Sequence, residues 1–368
     1  MLPRIDRRLV AHIEWPLLIS TLLVVGCGLL TILSATYDGE RFMSSHVLRQ
    51  ASWLGLGFGL MVVTASLDYR LLNRYGYFIY ALCLLSLVLV PLIGVSGGGA
   101  RRWLSLGPMA LQPSEFMKVA LVIVLARHLQ RRAGEQRLAV RHLMAPALLV
   151  AAPALLVLRQ PDLGTVIVLG LGAFTVLLLA GLPLRLVVLA LVIVGPALPY
   201  AWGHLKPYQQ QRLTSFVDPQ ADPLGAGYHV RQSTIAIGSG MVHGKGYLQG
   251  TQNQLNFLPE QHTDFVFSVF AEEWGFLGTA TLVVLYVTLV LRGIVIATKA
   301  RDNIGALLAG GLTATIFWQA VINIAMTSGA LPVVGITLPF LSYGGSSMLA
   351  LMASIGLIMN VSMRRFTF

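Results

Sequence analysis

Ten apolar runs dominate this chain, each near the roughly 20 residues that a helix needs to cross a bilayer core. They lie near residues 15–36, 50–67, 76–95, 113–130, 142–159, 163–182, 184–203, 264–291, 304–328 and 344–363. Such a succession leaves little choice of fold. Inside lipid there is no water to pair with backbone N–H and C=O groups, so each run must satisfy them internally as a helix. The expectation is an all-α polytopic membrane protein of about ten transmembrane helices, forming one integral membrane domain over residues 1–368. Only 11% of residues are charged, against roughly 25% in a soluble domain, which excludes an ordinary soluble enzyme. The first run is too long for a signal-peptide core and is followed by further spans, so it is expected to be retained.

A formal net charge of +11 raises the question of nucleic acid, but the distribution of the basic residues answers otherwise. With the N-terminus inside the cell, the inner segments hold 16 Lys and Arg, among them Arg127, Arg131, Arg132, Arg137 and Arg141 between the fourth and fifth spans. The short outer loops hold only Arg41, Arg49, Arg101, Arg102 and Arg159. The positive-inside rule then predicts an N-in, C-in topology. The basicity is an orientation signal, and no nucleic-acid partner is expected. Cys27 and Cys83 fall inside apolar spans and read as small buried hydrophobes.

One loop stands apart in length. Residues 204–262 form a polar, Gly/Gln/Pro-rich connection between the seventh and eighth spans, placed outside the cell by this topology. Loops this long without regular structure are usually functional or disordered. Tyr228–Ile237 is apolar enough for a short interfacial helix. The unusual sequence also collects on the outer side: GARRWLSLGP (99–108), LRQPDLGT (158–165), LPEQHTD and LPFLSYGGSS (338–347).

Several ionisable groups in these segments could carry chemistry, since charge at membrane depth is costly and tends to mark function. Asp264 is expected in the first turn of the eighth span, with His262 or Thr263 capping. Its face continues through Ser268, Ala271, Gly275 and Gly278, a stripe of small residues that another helix or a lipid chain could approach. The same acid could simply complement the helix dipole. Glu115 and Lys118 share a helix face at i, i+3, behind Pro113 at a first helical position. They are either a self-neutralising pair or a cation positioned for phosphate. Arg101, Arg102 and Trp103 suit a phosphorylated headgroup or generic interfacial anchoring. Asp162 reads as the cap of the following helix. Of Glu272 and Glu273, two turns deeper than Asp264, at least one needs a buried partner. GSGMVHGKG (238–246) fails the nucleotide pattern at Ser239 and Gly246. Metal-ligand spacings are absent.

Together, GARRWL, QPSEFMK, QPDLGT, DPLGAGYHVRQSTIAIGSGM, GKGYLQGTQNQLNFLPEQHTDFVFSVFAEEWG and LPVVGITLPFLSYGGSS resemble the SEDS family of bacterial cell-wall proteins (shape, elongation, division and sporulation). They run in family order from about residue 99 to 347. GTQNQL before FLPEQHTDF looks like the rod-shape branch (RodA) more than the division branch (FtsW). Met241 is a mild departure, where many members carry Gly. The resemblance implies a peptidoglycan glycosyltransferase that polymerises lipid II, a disaccharide-pentapeptide on undecaprenyl diphosphate, for cell elongation and rod shape. It implies Asp264 as the catalytic acid of HTDF and Arg102, Glu115 and Lys118 as substrate-binding. Trp103, His262 and Ser342 fall in the same segments and join that expectation, with Asp162 and Glu272 supporting. The implied partners are a class B penicillin-binding protein and other elongation-machinery proteins, in a bacterial cytoplasmic membrane with the site outside.

Chemistry at that face is coherent with this. An outward-facing enzyme has no access to nucleotide sugars, so an activated donor must arrive on a lipid. It needs a base for the acceptor hydroxyl and cations for the departing diphosphate. A divalent cation, Mg or Mn, could accompany the diphosphate, although no dedicated ligand set is visible. Two rivals stand beside this reading. One is a lipid II flippase, which should show polar groups along a path through the bilayer; the other is a non-catalytic scaffold.

Overall fold

The computed structural model describes residues 12–37, 44–97, 100–107, 109–131, 140–194, 203, 207–217, 226–254 and 262–365. The expected LPEQ segment at 258–261 lies outside them, as do 195–202 of the seventh run. The chain is mostly helical. In order, the helices are α1 (Trp15–Ala35), α2 (Ser45–Ser66), α3 (Tyr69–Arg74), α4 (Gly76–Ile93), α5 (Pro113–Leu129), α6 (Met144–Arg159), α7 (Leu163–Leu179), α8 (Leu184–Val194), α9 (Pro207–Val217), α10 (Ala226–Ser239), α11 (Thr251–Gln254), α12 (Val266–Thr298), α13 (Asn303–Thr327) and α14 (Gly345–Met363). Among the described residues, α1, α2, α4, α12, α13 and α14 are long and apolar enough to cross a membrane, while α6 and α7 are apolar but shorter.

Sequence chemistry sets several of the helix starts. Ser44, Asp162 and Asp302 each accept a backbone N–H at the head of α2, α7 and α13, replacing a helical bond that the first turn lacks. Pro113 opens α5, where its missing N–H costs nothing. The short helix foreseen at 228–237 is present as part of α10.

Helices α5, α13 and α14 form the centre, buried on nearly every side, as expected of a helix that is apolar all round. α14 packs lengthwise on α2, and α12 lies between α1 and α13. α4 turns Phe78, Leu82 and Leu92 outward, a surface suited to lipid. At the end of the bundle away from Asp162, buried Glu14 accepts hydrogen bonds from Arg292 and Ser362 and pairs with Arg365. Nearby, Tyr69 donates to Asp302 at 3.0 Å. Burial, then the Asp302 charge, push that hydroxyl up to about 12, so it remains a donor at neutral pH.

Two features depart from a bundle of simple helices. The loop before α5 folds as an antiparallel meander, β1 (Val95–Gly97), β2 (Ala100–Leu106) and β3 (Met109–Leu111). The strictly all-α expectation is therefore corrected: near the rim an extended loop pairs its backbone groups with itself. Helix α12 is also longer than the expected run and is broken at Gly275 (φ 62°, ψ −162°), a backbone region that is essentially glycine-only.

Candidate active site

Asp264 does not lie in the first turn of the eighth span. Residues 262–265 form a turn, and α12 begins at Val266 behind Phe265, with no side-chain cap. Asn323, fully buried on α13, holds that turn out of the helix. Its amide donates to the Asp264 carbonyl at 2.9 Å and to the Ile336 carbonyl at 2.6 Å. One side chain thus ties the Asp264 turn to the extended segment after α13. The Asp264 carboxylate points at that segment, with Oδ2 3.4 Å from where a Cβ on Gly335 would stand.

The same segment reaches the head of α7. A Cβ on Gly164 would stand 2.6 Å from the Val334 carbonyl and 3.4 Å from that of Gly335. Two residues earlier, Asp162 caps α7, accepting from Thr165 N at 3.1 Å and Thr165 Oγ1 at 2.9 Å, and from Gln112 Nε2 at 3.3 Å. Arg102, on β2, donates through Nε to the Gln160 carbonyl at 3.0 Å and through its terminal nitrogen to that of Pro161. Asp264, Asp162 and Arg102 therefore gather around one rim, with Asp162 in the capping role expected of it. Arg102 uses two of its five donors to clamp the α6–α7 turn. Trp103 sits beside it on β2, half-buried and paired in register with Val95.

Glu115 and Lys118 pair as the spacing predicts, at 2.9 Å, and both are buried. Lys118 also borders a narrow void with Val168, Gly172 and Thr315, which places it below the head of α7. Glu115 Oε2 has no hydrogen-bond partner. A buried acid and base in contact hold their charge together, whereas removal of either leaves a costly single charge.

His262 joins a ring cluster with His46 at 5.2 Å and Tyr343 at 5.8 Å between centroids, and its carbonyl accepts from Tyr343 N at 2.9 Å. Ser342, expected to meet substrate, accepts from Leu338 N through its hydroxyl at 2.8 Å and closes a local turn. Gln50, on α2, grips the neighbouring backbone at Ser342 O and Gly344 N. Asn323 and Gln50 were both missed in sequence. Their only signal was an amide at the head of, or within, an apolar run.

The small-residue stripe beyond Asp264 is approached closely by another helix, as its residues allow. It accepts α10 and the segment that follows. Ser268 Oγ meets Ser233 Oγ at 2.6 Å. Residues 241–246, part of the GSGMVHGKG stretch, lie across the break in α12 as a strap. Lys245 N and Gly246 N donate to the carbonyls of Glu272 and Glu273, and Phe276 N and Leu277 N donate to those of Met241 and Val242, at 2.8–3.1 Å. Those helix groups would otherwise be orphaned at membrane depth. The glycines of the strap permit this approach: a Cβ on Gly244 would stand 2.1 Å from the Glu273 carbonyl. Both deep acids have partners. Fully buried Glu272 binds Lys245 Nζ at 2.7 Å, and Glu273 accepts from Ser34.

Among the described residues no group of three His, Cys, Asp or Glu side chains gathers. Asp162 is engaged by N–H and O–H donors and Glu115 by Lys118, so these residues do not fit a divalent-cation cage.

The profile of a family described as "Cell cycle protein", FtsW/RodA/SpoVE, matches residues 15–366. The chain is 42% identical over 355 residues to the peptidoglycan glycosyltransferase MrdB of Escherichia coli K12, covering 96% of this chain and 94% of that one. It is 36% identical to stage V sporulation protein E of Bacillus subtilis, covering 94% and 96%. A chain from a solved peptidoglycan synthase complex that coordinates polymerization and crosslinking superposes with a TM-score of 0.83 at 34% identity, covering 97% and 99%. The crystal structure of Thermus thermophilus RodA gives 0.72 at 31%, covering 97% and 98%. From its fold and from the whole length of its sequence, this chain belongs to the FtsW/RodA/SpoVE family.

Proposed function

We propose that this protein is a peptidoglycan glycosyltransferase of the bacterial cytoplasmic membrane. It polymerises lipid II into glycan strands for cell elongation. The observation that carries the reading is the placement of the Asp264 carboxylate against Gly335, on the segment that also packs on the α7 head clamped by Arg102. A carboxylate and a guanidinium thus border one rim, with the buried Lys118 beneath it.

In the proposed reaction, an acceptor sugar hydroxyl attacks the anomeric carbon of a donor disaccharide. Asp264 takes the hydroxyl proton. The bond from that carbon to the diphosphate breaks, and undecaprenyl diphosphate leaves with the electron pair. Arg102 and Lys118 stabilise the charge that develops on the leaving group. Glu115 fixes the lysine, Trp103 and His262 border the sugars, and the Glu272–Lys245 pair supports the wall behind them. Ser342 shapes its turn as an acceptor and keeps its hydroxyl proton to donate to substrate. No step runs through a metal; a divalent ion, if one takes part, arrives on the diphosphate.

The reading also holds ten spans with both termini inside, residues 204–262 outside, and a site facing outward. The single integral membrane domain works with a class B penicillin-binding protein, a single-span transpeptidase, and with other elongation-machinery proteins. The solved complex that couples polymerization with crosslinking supports such a partner.

The test is polymerisation of labelled lipid II by the purified, reconstituted protein. Glycan strands from the wild type and none from Asp264→Ala support the enzyme. Lipid scrambling without strands, unchanged in the variant, would establish transport instead.

A further inference from the structure

Helices α6 and α7 meet at the Asp162 turn and part at their other ends. There they leave an apolar cavity of about 410 Å³, lined by Pro146, Ala147, Val150, Gly170, Phe174 and Leu177 and open to the side. That volume falls within the range of about 300–1,000 Å³ usual for small-molecule sites. The numbering places the cavity away from the candidate active site: 143–151 begin α6 and 170–182 end α7, whereas the clamped turn is 160–162. The gap is a missing side chain as much as a separation of helices, because a Cβ built on Gly170 meets nothing within 4 Å.

Basic residues adjoin the cavity lining in sequence on both chain segments. Arg141 is two residues before Leu143, which lines the cavity, and its Nε lies 3.2 Å from His142 Nε2. Arg185 is three residues after Leu182, which also lines it. Both arginines are exposed. Between residues 140 and 194 the only acid is Asp162, at the opposite end. A hydrocarbon slot flanked in sequence by arginines matches one kind of occupant. An acyl chain fills the slot by contact alone, and a phosphate takes charge-assisted hydrogen bonds from arginine. A partner helix would meet no polar anchor within the lining.

We infer that this cavity binds one chain of an anionic diacyl phospholipid, whose headgroup lies at Arg141 and Arg185. A zwitterionic lipid fills the slot equally well, but its own cation cancels the attraction, so the site selects by headgroup charge. The inference needs only a protein embedded in a membrane and does not rest on the transferase reading.

Native mass spectrometry of the full chain in detergent, with phosphatidylglycerol and phosphatidylcholine added, tests it. One phosphatidylglycerol is expected to be retained, with about tenfold preference or more, as two arginines near an anionic headgroup confer. Gly170→Leu directs a branched side chain into the slot, where its Cβ has room, and should weaken retention about tenfold, the effect of losing one or two buried methylenes. The double variant Arg141→Gln/Arg185→Gln changes exposed positions only, keeps the fold, and should erase the preference. Equal retention of the two lipids by the wild type would overturn the proposal. So would full retention in Gly170→Leu, or one-for-one displacement by undecaprenyl phosphate at lower concentration, which would give the slot to the substrate's tail.

Discussion

Asp264→Asn keeps the shape of the side chain and removes its ability to take a proton. If that proton transfer drives polymerisation, kcat should fall by about 10²–10⁴-fold, with normal insertion and little change in Tm. Lys118 permits a sharper separation of roles. Lys118→Met alone leaves Glu115 buried without its partner, so a loss of about 3–5 kcal/mol is expected, read as a lower Tm. Adding Glu115→Gln removes the stranded charge and should restore stability. A self-neutralising pair would then recover activity too, whereas a diphosphate-binding lysine leaves the double variant stable and inactive. Asn323→Leu strands two buried carbonyls at about 1–3 kcal/mol each and releases the Asp264 turn. A displacement near 1 Å costs roughly 10²-fold, so kcat should drop further than the Tm shift accounts for. The identities of Asp264, Glu115, Lys118 and Arg102 were legible in the sequence because ionisable groups are conspicuous among apolar ones. The Glu115–Lys118 pairing was legible too, whereas the settings of Asp264 and Arg102 were not. Arg102 clamping a turn depends on a carbonyl 58 residues away, and Ser342 closing one depends on an amide N–H 4 residues away.

Helix α12 shows where reading by apolar runs reaches its end. Lipid demands apolar stretches of a given length, so α1, α2, α4, α13 and α14 begin and end within five residues of the expected runs, whereas α12 continues seven residues past its expected end. Nothing in an apolar run announces that one glycine within it adopts φ 62°, because the strap that completes the broken turn lies some 30 residues upstream. GSGMVHGKG was legible as a failed nucleotide loop and as part of the family segments, and neither reading revealed its contact with α12. Its glycines serve close approach to another backbone. Gly275→Ala should cost about 1–3 kcal/mol in backbone strain. It also places a Cβ 2.2 Å from Gly244 N, so the strap must shift. Faster proteolysis within 240–254 would report that, and an unchanged cleavage pattern would show the strap independent of the break.

The arrangement of charge across the protein predicts its orientation. With Cys27 and Cys83 replaced by alanine, Ser105→Cys should react with a membrane-impermeant maleimide in intact spheroplasts. Lys299→Cys should react only after lysis. The reverse pattern would invert the topology and remove the site from the face where lipid-linked sugars are polymerised. The polar groups described here gather at the Asp264–Arg102 rim and at the Glu14 knot, with the buried Glu115–Lys118 and Glu272–Lys245 pairs between them. The labelled-lipid assay, rather than their placement, separates chemistry at a surface from passage through the bilayer.

The crossing of 241–246 over Gly275 sets an order on biogenesis. The strap emerges from the ribosome before α12, so its donors and acceptors already wait when the interrupted helix enters the translocon. A circular permutant that synthesised α12 first would offer the lipid four naked peptide groups, and quality-control proteases would find it before its complement arrived.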